Sequence, residues 1–153
     1  MKKKPFFQQT HPNDNGLTCL KMIAAYRGKD YSVDFLKEKS SDIQSPMSIE
    51  DIGIVAERVG FRSRSMELIY IQLAEEIHFP VIIPWKREYF VVLYDVKVSF
   101  WSFLPWVSKE EYLIIADPSS KLMKVDKKTF IENWKGEGRD KRKGKVLTIQ
   151  SAI

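Results

Sequence analysis

The chain has 153 residues, 44% of them hydrophobic and 29% charged, a balance that suits one globular domain with its own core. No apolar run reaches the ~20 residues that span a bilayer, and the basic start MKKKPFF passes into QQTHPNDN without the apolar stretch of a signal peptide, so a cytoplasmic domain is expected. One cysteine and two isolated histidines offer no intrachain disulfide and no metal cluster, and the net charge of +5, concentrated in Lys2, Lys3, Lys4 and in 135–145, reads as solvated basic ends rather than a surface for nucleic acid or anionic lipid.

In chain order, Gly16 to Tyr26 carries Leu17, Leu20, Ile23 and Ala24 at helical spacing, and Arg27-Gly28 closes that helix. Ser32 is placed to cap a short second helix containing Val33, Phe35 and Leu36. Ser48 and Asp51 form a capping-box pattern, Ile49, Ile52, Val55, Ala56 and Val59 make one apolar face, and Gly60 sits where a helix ends on a left-handed residue. A fourth short helix is predicted between Ile69 and Glu76. After Pro80 the period changes. Val81 to Ile83, Tyr89 to Val96, Tyr112 to Ala116, Leu122 to Val125 and Lys145 to Ile149 are rich in β-branched and aromatic residues and read as strands, with a short helix ending at Trp134 before the last. Helices followed by an antiparallel sheet make an α+β domain.

The stretch Gln9-Thr10-His11-Pro12-Asn13-Asp14-Asn15-Gly16-Leu17-Thr18-Cys19-Leu20 resembles the start of the C39 family of cysteine peptidases, where a glutamine, four residues, Asp-Cys-Gly, two residues and Cys-Leu open a helix. The likeness continues through Ala25 to Gly28, Tyr31-Ser32, the Ser48 helix with Gly60-Phe61, Pro80 to Trp85, Phe90 to Tyr94, Ala116-Asp117-Pro118 and Phe130 to Trp134, in order along nearly the whole chain. The resemblance implies a papain-like fold with N-terminal helices packed on the sheet. It implies a single domain over residues 1–153, forming the N-terminal part of a larger ABC transporter that exports bacteriocin-like peptides. It also implies cleavage of a leader after a double glycine, with no cofactor in this domain.

In such a site a cysteine at a helix N-terminus is ionised by the dipole and a nearby imidazolium, an aspartate orients the histidine, and a glutamine donates to the oxyanion. Carried over by position, the glutamine is Gln9 and the aspartate Asp117, both retained; the nucleophile falls on Asn15 and the histidine on Tyr89, both replaced. An amide is no nucleophile, and a phenol of ordinary pKa near 10 is a poor base at neutral pH. The expectation is a pseudo-peptidase whose vestigial site no longer cuts but whose groove still docks an export peptide, its leader or unfolded cargo. The partners would be that peptide and the transmembrane and ATP-binding parts of the exporter, with no nucleic acid. Two other readings stand: an active peptidase with a rearranged or experimentally altered site, and a regulatory partner acting beside an active transporter subunit.

Other residues weigh less. Cys19, one turn beyond Asn15, reads as a buried packing thiol; His11 and His78 read as loop residues, and Asp117 also suits turn chemistry. Between the strands ending near Val96 and starting near Tyr112 lie Phe100, Trp101, Phe103, Leu104 and Trp106, an unusually apolar connection. It reads either as a lengthened hairpin packed on the core or as an exposed flap. Under the second reading Trp85, Phe100, Trp101, Phe103 and Trp106 form the peptide-binding set.

Overall fold

The computed structural model describes residues 2–98, 104–106, 110–134 and 142–152. A 3-10 turn, Pro12–Asp14, leads into helix α1, Asn15–Tyr26, followed by α2, Val33–Glu38, and α3, Ile49–Arg58. Strand β1, Phe61–Ile69, and helix α4, Tyr70–Glu76, come next, then β2, Val81–Trp85, β3, Tyr89–Val98, β4, Glu111–Ala116, and β5, Leu122–Asp126. Helix α5, Lys127–Trp134, and β6, Lys143–Ser151, complete the described chain. The strands form one antiparallel sheet in the order β1-β6-β2-β3-β4-β5.

The sheet is covered on both faces. One face, with Ile82, Val92, Tyr94, Ala116, Leu147 and Ile149, packs against the apolar sides of α1, α2 and α3. The other, with Val81, Ile83, Trp85, Val91, Leu93, Leu113 and Ile115, packs against Leu73 of α4 and against Phe130 and Trp134 of α5. This explains why Val81 to Ile83 is continuously apolar, since a strand buried on both faces needs no polar alternation. A bulge at Tyr94, between Leu93 and Asp95, adds one residue to β3. Beyond it the parity flips, so Val96 joins Val91 and Leu93 on the α5 face, and Tyr94 turns its ring toward α1.

The predicted elements are all present. The α3 capping box forms in both directions, Asp51 N–H to Ser48 Oγ at 3.1 Å and Ser48 N–H to Asp51 Oδ2 at 2.9 Å. One strand was not expected. β1 begins Phe-Arg-Ser-Arg-Ser, with no apolar alternation, because it is an edge strand whose Arg62, Arg64 and Ser65 face solvent. Helices and strands therefore interleave here rather than segregate.

Trp85 needs correction. It was expected on a peptide-binding surface, yet it is 3% exposed and packs its ring 5.8 Å from that of Phe130. Strand parity aims residues 81, 83 and 85 at α5, so Trp85 is core.

Candidate functional site

The approach to α1 is built by short-range bonds. His11 Nδ1 accepts from Asn13 N–H at 3.2 Å and its carbonyl accepts from Asp14 N–H at 2.9 Å, which turns the chain so that Asn15 begins the helix. Gly16 follows, and a Cβ there would sit 2.7 Å from Ile52 Cδ1, so its absence lets the start of α1 lie close against α3. Asn15 is thereby pressed onto β3.

The four positions singled out by sequence meet in one closed circuit. Asn15 Oδ1 accepts from Phe90 N–H at 2.7 Å, while Asn15 Nδ2 donates to Phe90 O at 3.0 Å and to Gln9 Oε1 at 3.1 Å. Next along β3, the Tyr89 hydroxyl donates to Asp117 Oδ2 at 2.9 Å. Asp117 Oδ1 accepts from the Ser119 amide at 2.9 Å and from its hydroxyl at 2.6 Å. Gln9 N–H closes the ring on Pro118 O at 2.8 Å. Asn15 and Tyr89 both line a cleft of ≈ 290 Å³, with Gly16, Met47, Pro84, Arg87 and Phe90 among its other walls. Their polar atoms bond to Phe90 and to Asp117, with the amide clamped on backbone and the phenol on a carboxylate.

The electrostatics follow from these contacts. Loss of solvent, then the hydrogen bond and charge of Asp117, push the Tyr89 phenol up to about 12, so it stays protonated and acts as a donor near neutral pH. Cys19 is fully buried with Sγ 3.4 Å from Phe90 O; burial, then the charge of Asp117, holds its thiol well above the usual range. His11 and His78 are exposed, as expected of loop residues. Asp117 does serve its turn, but it is also 4% exposed and holds the phenol.

Stability should register the Tyr89 shift. Because the folded pKa lies above the unfolded value of 10.0, the contribution is complete below pH 10 and is lost as pH rises toward about 12. Tyr89→Phe is therefore expected to lessen the fall in urea midpoint over that window, part of which persists through the raised phenols of Tyr70 and Tyr94. An unchanged slope in Tyr89→Phe would remove Tyr89 as a contributor.

Of the apolar connection, Trp106 is 78% exposed and Leu104 is half-buried; Phe100, Trp101 and Phe103 lie outside the described residues. Sequence reasoning missed the backbone of Phe90, which receives the Asn15 clamp, because a main-chain partner leaves no residue-type signal. It also missed the β2–β3 turn at the rim of the cleft, where Lys86 and Arg87 adopt left-handed φ of 54° and 60°. Nothing in Lys-Arg-Glu marks such a turn, which glycine or asparagine normally occupies.

The pattern of the peptidase C39 family matches residues 3–138. The colicin V secretion/processing ATP-binding protein CvaB of Escherichia coli is 30% identical over 96 residues, which is 63% of this chain and 14% of that protein. The sublancin-168-processing and transport ATP-binding protein SunT of Bacillus subtilis is 24% identical over 138 residues, 84% of this chain and 18% of that protein. The chain thus spans less than a fifth of the length of these relatives. The same fold occurs in the peptidase domain of Streptococcus ComA, with a TM-score of 0.75 at 23% identity over 97% of this chain and 99% of that one. It occurs also in a double glycine motif protease from an AMS/PCAT transporter in complex with the leader peptide, with a TM-score of 0.76 at 21% identity over 98% and 93%.

Proposed function

Since the chain belongs to the peptidase C39 family, we propose that it is a docking domain without peptidase activity, which holds the leader of an export peptide, or unfolded cargo, for an ABC exporter. In this reading it forms the N-terminal part of the exporter, works at the inner face of the plasma membrane, uses no cofactor, and has the transmembrane and ATP-binding parts as its other partners. The observation that carries the proposal is the locked Asn15 amide. All the hydrogen-bonding capacity of its Nδ2 goes to Phe90 O and Gln9 Oε1, at the position where the family places its thiolate. Beside it lies the cleft, lined in part by Gly16, Met47, Pro84 and Phe90. Its wall mixes the apolar Met47, Pro84 and Phe90 with Arg87, Glu88 and Tyr89, and a peptide docks on such a surface by shape and burial, neither of which depends on a nucleophile. The relatives named for secretion and processing, and the fold neighbour bound to a leader peptide, support the leader-binding part of this reading. The burial of Cys19 argues against a rearranged active site.

The test is calorimetric titration with a synthetic double-glycine leader. Saturable binding is expected, insensitive to alkylating reagents and weakened at least about ten-fold when Met47→Arg puts a charge on the cleft wall. Absence of binding, or binding that ignores Met47→Arg and a change of both glycines to lysine, would remove the docking role.

A further inference from the structure

The end of the molecule opposite the cleft carries a feature that peptide docking does not use. The cleft lies at the start of α1, and the residues before α1 run back along that helix to its other end. Their path is fixed by Gln9 N–H on Pro118 O near the cleft, then by the Tyr94 hydroxyl on Pro5 O, then by Lys2 Nζ, which lies 4.1 Å from the centroid of the Tyr26 ring in the last turn of α1. Arg27 approaches the same ring at 6.0 Å, and its Nε donates to Ile149 O at 3.0 Å, near the end of β6. Arg62 is opposite Gln150 in the β1–β6 register and is exposed. Lys3 and Lys29 are exposed, and Lys4 is half-buried. Six basic side chains are thus gathered at one end of α1 and of the sheet, with Asp30 the acid in the α1–α2 connection and Asp95, Glu110 and Glu111 further across the sheet, where β3 ends and β4 begins.

We propose that this end is a docking surface for an anionic phospholipid bilayer. Two of these cations, Lys2 and Arg27, share the Tyr26 ring, and cations gathered at a folded end repel one another, so the arrangement is favourable when an anionic surface is present. Basic residues that can approach headgroups each strengthen attraction to an anionic leaflet. Exposed apolar side chains at the same end favour lipid over a nucleic acid. Strand β3 ends and β4 begins there, leaving Val98 47% exposed, and the connection between them presents Trp106 at 78%. Tryptophan and cationic side chains both settle at the bilayer interface. Docked in this way, the domain would face its cleft away from the membrane surface.

The test is co-sedimentation of the 153-residue chain with large vesicles. Vesicles containing phosphatidylglycerol are expected to carry the protein down, pure phosphatidylcholine is not, and 0.5 M salt should release it. Changing Lys2, Lys3 and Lys4 to Gln is expected to weaken partition by about a hundred-fold, about five-fold per residue. Trp106→Ala should weaken it independently. An equal charge loss at the cleft end, Lys86→Gln, Lys121→Gln and Arg142→Gln, should leave it within about two-fold, which separates this face from net charge. Equal binding to both lipids, an equal effect of the two triple variants, or tighter binding to duplex DNA than to the anionic vesicles would each overturn the proposal. None of these outcomes bears on leader binding in the cleft.

Discussion

A double-glycine peptide incubated with this chain is expected to come through intact, with turnover roughly a million-fold below that of an intact nucleophile–base constellation. Three features combine to produce this. Asn15 offers an amide whose hydrogens are already committed. Tyr89, with its pKa pushed up to about 12, is a hydrogen-bond donor where a base is needed. Cys19, the nearest thiol, is fully buried, and a thiol whose pKa is raised by burial supplies little thiolate at neutral pH. Mass spectrometry of the peptide after about a day, with and without prior alkylation, measures the outcome. Cleavage that alkylation abolishes would mean that Cys19 is reactive and would end the pseudo-peptidase reading. The converse experiment uses the retained partners. Asn15→Cys with Tyr89→His restores a thiol and an imidazole between Gln9 and Asp117, and is expected to raise cleavage by at least about a hundred-fold over the unsubstituted chain.

The legible part of this molecule was whatever local chemistry specifies. Ser48 and Asp51 announce the start of α3 because each satisfies an amide of the other, and the structure contains both bonds. The apolar spacing of Leu17, Leu20 and Ile23 marks the buried face of α1 for the same kind of reason. The gathering of Gln9, Asn15, Tyr89 and Asp117 was legible only through family resemblance, since residues up to 108 positions apart carry no local signal of contact. What was not legible depends on tertiary context. β1 lacks alternation because it is an edge strand, and propensity is a poor guide where one side meets water. Trp85 was placed in the peptide-binding set, but its position in β2 aims it at Phe130. An asparagine where the family resemblance puts the nucleophile could be read from sequence; that its side chain bonds both main-chain groups of Phe90 could not.

That pairing has the second large consequence. Asn15→Ala is expected to lower unfolding stability by about 3 kcal/mol, from the amide of Phe90 left without its side-chain acceptor plus the volume of the missing side chain. For a chain of this size the loss corresponds to a melting temperature lower by about 10 °C. A typical surface substitution changes stability by about half a kcal/mol or less, and Asn15 is only 7% exposed. Asn15→Asp separates the two halves of the clamp. One carboxylate oxygen can still accept from Phe90 N–H, but the other faces Phe90 O, an acceptor, unless it carries a proton. The folded state therefore favours the protonated acid and holds its pKa above the unfolded value near 3.9. A raised folded pKa means that the interaction is present below the unfolded value and is lost as pH rises through the folded one. Asn15→Asp should accordingly be nearly as destabilised as Asn15→Ala at pH 7, and should recover relative to Asn15→Ala toward pH 4. Urea melts of the two variants at both pH values decide the matter. If Asn15→Ala unfolds within about half a kcal/mol of the parent, the amide is passive; a full loss identifies it as the clamp that fixes α1 to β3.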